Sequence, residues 1–413
     1  MCSTSLETVS HLKLKLDRSS GNDLAEIIKC YLDDYRRHHK LSAHQYRVLS
    51  AIRSCRTGDL GAHLQKCDHC DYRQIAYNSC GNRHCPKCQG NRRRAWLNRQ
   101  LKDMLPIPYY HVVFTLPHQL NELCLYNKRV IYDLFFDCAV STLQRFAEDP
   151  KHLGGRLGII ALLHTWGQNL SYHVHLHLIV TAGGLCEAEK CWKPLPYRRR
   201  FLFPVKALSV VMRAKFLQGL ARLYSQGELN LNSQGCRAFV WPPNFKAFMN
   251  QMWQSNFYSY AKKPFAGSEA MFKYLADYTN RVAISNQRIQ SVKESKVSFT
   301  YKDYRDGHKR KSMTLSATEF LRRFLHHILP PKFRKIRYYG ILAPGCRAKY
   351  IDLISKLLAV KVGRLEKDSD LDHNLCPKCH KGGLKVTRHY SAAGLAALLF
   401  ELENQLSLNF DSS

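Results

Sequence analysis

Two Cys-x-x-Cys pairs, Cys67/Cys70 and Cys85/Cys88, stand 14 residues apart in a stretch short of aliphatic side chains. A segment of Cys, His, Asn and Gly cannot bury a core of its own, so order there calls for a cross-link. Two knuckles at this separation suit one tetrahedral zinc ion. Each turns two thiolates toward one point, and the loop between them closes the site. Cys80, His84 and His69 are spare donors in the same stretch. Four thiolates leave no open coordination position, so the expected role is structural. A later pair, Cys376/Cys379, reads as a second zinc half-site, with Cys346, His373, His380 and His389 as the donors at hand.

Charge narrows the partners. The 413 residues carry 63 Lys+Arg against 32 Asp+Glu, a formal +31, which attracts polyanions and says nothing of fold. Arg92, Arg93, Arg94 and Arg99 follow the zinc stretch on a basic helix, an expected DNA-docking face. No apolar run approaches the roughly 20 residues of a membrane span, so no membrane role is expected. The first residues lack the apolar core of a secretory signal, and the chain is expected to stay in the cytoplasm. Sixteen cysteines there point to metal sites and buried thiols more than to disulfides.

The pattern along the chain is α+β. Residues 1–66 read as mainly helical, with Leu24, Ile27, Ile28, Tyr31, Leu32 and Tyr35 at helical spacing. Residues 67–105 hold the zinc stretch and the basic helix, closed by Pro106 and Pro108. Strands are expected at 109–115, 157–165 and 173–181, and helices at 127–147, 205–225, 244–261 and 268–280. A hairpin is expected over 288–315, broken at Asp306-Gly307, and a helix at 316–328. We divide the chain at 66, 105 and 330, leaving 331–413 as a small C-terminal region.

Two constellations carry chemistry. His173-Val174-His175-Leu176-His177 puts three imidazoles on one face of a strand, where neutral nitrogens can share a divalent ion. Tyr274 and Tyr278 stand at i, i+4 on a helix, with Tyr258 and Tyr260 as nearby decoys. A basic chain with a metal-binding strand and a tyrosine pair has the parts for phosphotyrosyl transfer on DNA. The ion polarises the scissile phosphate and a phenolic oxygen attacks it, conserving the phosphodiester energy in a covalent link.

At these residues the chain resembles the two-tyrosine HUH transposases of rolling-circle insertion sequences that carry an N-terminal zinc-binding domain. The likeness spans most of the chain. It rests on Cys67-Asp68-His69-Cys70, on Ser79 through Cys88, on His111 through Pro117 and on His173 through His177. It rests further on Tyr260 through Phe265, Tyr274 through Asn286, and Tyr338-Tyr339-Gly340. The resemblance implies that His175 and His177 are the HUH pair and that Tyr274 and Tyr278 are nucleophiles. The third ligand is left open between Gln168 and His173. It also implies an antiparallel sheet of about five strands with flanking helices and the HUH strand central. Mg2+ or Mn2+ as the catalytic ion, structural Zn2+, single-stranded DNA at element ends, target DNA, a 5′-phosphotyrosine and a nucleoid setting in a bacterium follow from the likeness. Val174 stands where proline is frequent in that family, and Asn280 where histidine is. Neither is a proposed catalytic group.

Two other classes compete. A non-enzymatic zinc-dependent DNA-binding regulator would share the cysteines, the arginine helix and the charge, but leaves the histidine strand and tyrosine pair without a use. A nuclease activating water would want carboxylates beside the histidines, and 168–181 holds none. A covalent protein–DNA adduct separates all three.

Overall fold

The computed structural model describes residues 12–15, 22–88, 105–195, 202–265, 282–304, 306–360 and 375–410. The chain opens with β1 (Leu12–Lys15), α1 (Leu24–His38), α2 (Ala43–Arg53), β2 (Ala62–Cys67) and β3 (Arg73–Tyr77). Asp23 caps α1 by accepting from Glu26 N–H at 2.8 Å, and Ser42 with Gln45 forms a capping box on α2. The buried side of α1 is Leu24, Ile27, Ile28, Leu32 and Tyr35, as its spacing requires. Residues 1–66 are thus not helical throughout. β1 and β2 belong to a sheet ordered β1-β3-β2 with a fourth strand from the far end of the chain.

The central domain runs through β4 (Tyr109–Thr115), α3 (Asn121–Tyr126), α4 (Lys128–Glu148), β5 (Gly158–Trp166), β6 (Tyr172–Thr181), β7 (Gly183–Cys186) and β8 (Cys191–Pro194). It continues with α5 (Val205–Ser225), α6 (Pro242–Gln254) and β9 (Tyr258–Phe265). The helix expected over 244–261 stops at Gln254. Beyond it Phe257 and Ala261 turn inward while Tyr258 and Tyr260 face solvent, and this alternation pairs with β4.

Next come β10 (Ile289–Lys293), β11 (Lys296–Asp303), β12 (Lys309–Ser316) and α7 (Ala317–His326). The expected hairpin is a three-stranded meander. Its unforeseen turn is Glu294-Ser295, at φ of 50° and 56°, the left-handed conformation a two-residue hairpin demands. The chain ends with β13 (Ile336–Gly340), α8 (Arg347–Leu357), β14 (Leu384–Tyr390) and α9 (Ala392–Phe410). Residues beyond 330 do not form a region apart. β13 is an edge of the central sheet, and β14 pairs antiparallel with β2.

The central sheet is antiparallel with order β13-β5-β6-β4-β9, five strands with β6 in the middle. The fold class is α+β, as expected. One face of β6, Val174, Leu176, Leu178 and Val180, is buried against Ile131, Phe135 and Ala139 of α4, with Phe216 of α5 and Met249 and Met252 of α6 in the same core. Each such side chain contributes about 1.5–3 kcal/mol by leaving water. On the opposite face, Tyr109, Ile160 and Ile179 meet Ile341, Leu342, Tyr350 and Ile354 at one end. The other end of that face carries the histidines, beside Trp166, which packs against the core of α1, α2 and α7.

Candidate active site and thiol clusters

Register explains what the histidine strand does. In β6, His175 lies directly opposite His164 of β5, and His177 opposite Leu162. Directly opposed residues of an antiparallel pair share a face, so His164 joins the two β6 imidazoles. The ring nitrogens of His164, His175 and His177 come within 4.8 Å of one another. His173 lies on the same face, 5.0 Å ring to ring from His175, yet stands outside this group. Gln168 turns away and donates to Tyr304 Oη at 3.3 Å. Neither expected third ligand joins the pair; His164 does.

Hydrogen bonds set the tautomers. His175 Nδ1 lies 2.9 Å from the carbonyl oxygen of His173, which can only accept, so Nδ1 carries the proton and Nε2 the lone pair. His177 Nδ1 lies 2.9 Å from Nε2 of the buried His111, whose ring stacks on it at 5.1 Å. With Nδ1 occupied in both, Nε2 is the nitrogen each would offer a metal. This is the division of labour that metal-binding histidines need. Burial pushes His175 down to about 3, with the neighbouring His173 adding to the effect, so the imidazole stays neutral. His164 is 3 % exposed and stacks on Trp166 at 4.7 Å.

Rows across the sheet extend the face to its edge. Tyr258 pairs with Thr115, which pairs with His175; Tyr260 pairs with Val113, which pairs with His177. Both phenol rings therefore share the histidine face, two strand spacings or about 10 Å away. They are 66 % and 55 % exposed. Tyr274 and Tyr278 lie outside the described residues, as do Arg92, Arg93, Arg94 and Arg99.

The cysteines regroup. Cys67, Cys70, Cys85 and Cys88 do not converge on one point. Cys85 and Cys88 gather with Cys55 and Cys80, while Cys67 and Cys70 gather with Cys376 and Cys379. The reason is the β2–β3 hairpin. Cys67 and Cys70 sit at its turn, Cys80 to Cys88 follow its other end, and the five residues of β3 hold the two apart by on the order of 15 Å. A zinc–sulfur bond of about 2.3 Å sets tetrahedral sulfurs only about 3.8 Å apart.

In the first cluster Cys55 Sγ lies 3.5 Å and Cys80 Sγ 3.6 Å from Cys88 Sγ. Amides of Cys80 and Asn82 donate to Cys55 and Cys80 sulfurs at 3.4 Å each. Thiols of Cys55, Cys80 and Cys85 all lower Cys88, favouring its thiolate. Cys55 was not a sequence candidate because no knuckle marks it; it follows the end of α2 alone. His84 is no ligand there. Its Nε2 accepts from Leu329 N–H at 3.4 Å. The cluster sits in the core that joins α1 and α2 to the β10–β12 meander and α7.

In the second cluster Cys67 Sγ lies 3.7 Å from Cys379 Sγ, and Cys70 Sγ 3.5 Å from Cys376 Sγ. The half-site at Cys376/Cys379 is therefore completed by the first knuckle. Cys346, once at hand, instead donates to the carbonyls of Gly340 and Ala343, and His389 faces His63.

Comparison with known proteins fits this geometry. Residues 158–349, which include all three histidines, match the family described as "Putative transposase". Residues 27–116, which include Cys55, Cys80, Cys85 and Cys88, match the family described as "Transposase zinc-binding domain". Together they define the class: a transposase with a zinc-binding domain ahead of its catalytic part. "Putative transposase y4qJ" of Sinorhizobium fredii (strain NBRC 101917 / NGR234) is 40% identical over 377 residues, covering 88% of this chain and 94% of that protein. "Transposase for insertion sequence element IS801" of Pseudomonas savastanoi pv. phaseolicola is 30% identical over 325 residues, 76% of this chain and 74% of that one. No solved structure matches. The chain belongs to the IS91-type insertion-sequence transposases. Among the described residues no helix is long and apolar enough to cross a membrane.

Proposed function

We propose that this transposase nicks and rejoins single-stranded DNA at element ends and target through a 5′-phosphotyrosine, in rolling-circle transposition. The observation that carries the reading is the histidine face, three imidazoles gathered on one face of the central sheet. His164, His175 and His177 would hold a divalent cation. All-nitrogen donors hold Mn2+ more tightly than Mg2+, so the hard oxygen ligands that Mg2+ prefers must come from water and the DNA phosphate. Bound there, the ion supplies Lewis-acid polarisation of a phosphoryl oxygen. His111 and the His173 carbonyl keep the His177 and His175 rings oriented, so the face needs little reorganisation when a phosphate arrives.

Tyr274 and Tyr278 are the proposed nucleophiles. A phenolic oxygen bonds to phosphorus as the bond to the 3′ oxygen breaks, and the phenolic proton is lost to solvent while the 3′ oxygen gains one. Strand rejoining reverses the exchange. The exposed rings of Tyr258 and Tyr260 offer flat apolar surface on which unpaired bases can stack beside the histidines. The zinc-binding domain holds Zn2+ through Cys55, Cys80, Cys85 and Cys88, in a structural role. A DNA substrate of this kind puts the enzyme at the nucleoid in the cytoplasm.

The test is mass spectrometry of protein incubated with a single-stranded end oligonucleotide and Mn2+. A DNA adduct on Tyr274 or Tyr278 is expected, and none in Tyr274→Phe/Tyr278→Phe protein. An adduct surviving in the double variant would mean other nucleophiles, with Tyr258 and Tyr260 next in line.

A further inference from the structure

The second thiol cluster joins two cysteines inside the zinc-binding domain match, Cys67 and Cys70, to two beyond either family match. The zinc-binding domain match ends at residue 116, and half of this cluster is Cys376 and Cys379. We propose that Cys67, Cys70, Cys376 and Cys379 form a second tetrathiolate zinc site, a staple that binds the far end of the chain into the N-terminal sheet.

Three observations carry it. First, the sulfur spacings of 3.5 and 3.7 Å are close to the roughly 3.8 Å of four sulfurs around one zinc and far from the roughly 2.05 Å of a disulfide. Second, both knuckles point backbone N–H groups at their own sulfurs. His69 donates to Cys67 at 3.3 Å, and Lys378 to Cys376 and Gly382 to Cys379 at 3.4 Å each. Such donors stabilise thiolates, the form a metal needs. Third, the backbone is fitted for closure. Asp68 N–H donates to the Gly383 carbonyl at 3.1 Å, and Gly383 N–H to Asp68 Oδ1 at 2.8 Å. A Cβ at Gly382 would stand 2.5 Å from Cys67 Sγ, so only glycine lets the second knuckle approach the first.

The apolar core described here is small. Among the described side chains its fully buried members are Ala62 and Ile75 with Leu395 of α9, and Leu384 beside the thiols, with Leu64, Tyr77, Tyr390, Leu398 and Leu399 half-buried around them. A cross-link adds to so small a core when a strand arrives from over 300 residues away. The staple makes the N-terminal module a product of both chain ends, with the histidine domain inserted between them.

The experiment uses the full chain. Purified under reducing conditions and reconstituted with Co2+, it should take two ions in sites showing thiolate-to-cobalt charge transfer, which histidine ligation does not give. Cys376→Ser/Cys379→Ser should halve that absorption, and Cys55→Ser/Cys80→Ser should remove the other half. Because a variant can fail to fold, the natural chain gives a second readout. With Zn2+ bound, Cys67, Cys70, Cys376 and Cys379 should resist alkylation together, and a chelator should expose all four together. One thiolate-bound ion per chain, or Cys376 and Cys379 alkylated equally fast with and without Zn2+, would overturn the proposal.

Discussion

Two of the sheets in this protein, the central one and the N-terminal one, hold their candidate metal ligands in opposite ways. Around the histidines, the central sheet is anchored by a large apolar core on its other face, with Phe114, Phe135, Phe136 and Phe216 fully enclosed. The ligands there are placed by register and by the hydrogen bonds that His177 shares with His111 and that His175 donates to the His173 carbonyl. Around Cys67 and Cys376, the fully buried apolar side chains described in the N-terminal sheet are few, Ala62, Ile75 and Leu384 with Leu395 of α9. Where the core suffices, a metal is free to serve chemistry. Where it does not, the metal is part of the fold.

The largest effect should come from the histidines, and it should leave the fold alone. His175→Ala/His177→Ala removes two of three imidazoles from a face whose strand is secured from behind. Nicking of a single-stranded end should fall by at least about a thousandfold, given several kcal/mol of transition-state stabilisation from a bound ion. The thermal transition should stay where it was. Cys85→Ser should do the reverse. The thiol is fully enclosed in the core shared by α1, α2 and α7, so zinc content should drop and the N-terminal region should open to protease. Calorimetry and limited proteolysis of the two variants side by side decide the matter. A histidine variant that unfolds, or a Cys85 variant as stable as its parent, would break the contrast.

A smaller effect belongs to His164. His164→Ala should weaken Mn2+ binding at least tenfold, measured by calorimetric titration, whereas His173→Ala and Gln168→Ala should change it little. This prediction also marks where sequence reading stopped. The alternation in 173–181 and the apolar run at 158–165 are legible as strands, and the helical spacing in 24–35 as a helix. His164 is a single histidine in an apolar strand, and only pairing reveals it. Residues 167–171 turn β5 into β6, and the register then sets 164 opposite 175. The same limit governs the cysteines. Local spacing finds each knuckle, but the choice of partner depends on β3 separating the two ends of its hairpin and on β14 returning from the C-terminal end. Neither is a property of nearby residues. Glu294-Ser295 was missed for a different reason, since neither residue type advertises a left-handed turn.

The smallest effect separates substrate contact from both metal roles. Tyr258 and Tyr260 stand on the edge strand, more than half exposed, in the rows that run through Thr115 to His175 and through Val113 to His177. Their rings bury too little to hold the sheet; at this end of the strand Phe257, just before it, and Ala261 face inward. Along a strand, alternate residues are about 6.8 Å apart, so the two rings can each take one splayed base of a strand whose phosphate lies at the histidines. Stacking of a base on an aromatic ring is worth about 1–3 kcal/mol. Tyr258→Ala and Tyr260→Ala should therefore each weaken single-stranded DNA binding by roughly tenfold in a fluorescence anisotropy titration, with the salt dependence unchanged because no phosphate contact is lost. Replacement by Phe should restore affinity, since it keeps the stacking face and deletes only the hydroxyl. That rescue also keeps the pair distinct from Tyr274 and Tyr278, where Phe removes the nucleophile and ought to abolish the adduct. If Phe at 258 or 260 abolished the adduct while Ala left affinity intact, the edge of the sheet would belong to the chemistry and the rings would not be a platform for bases.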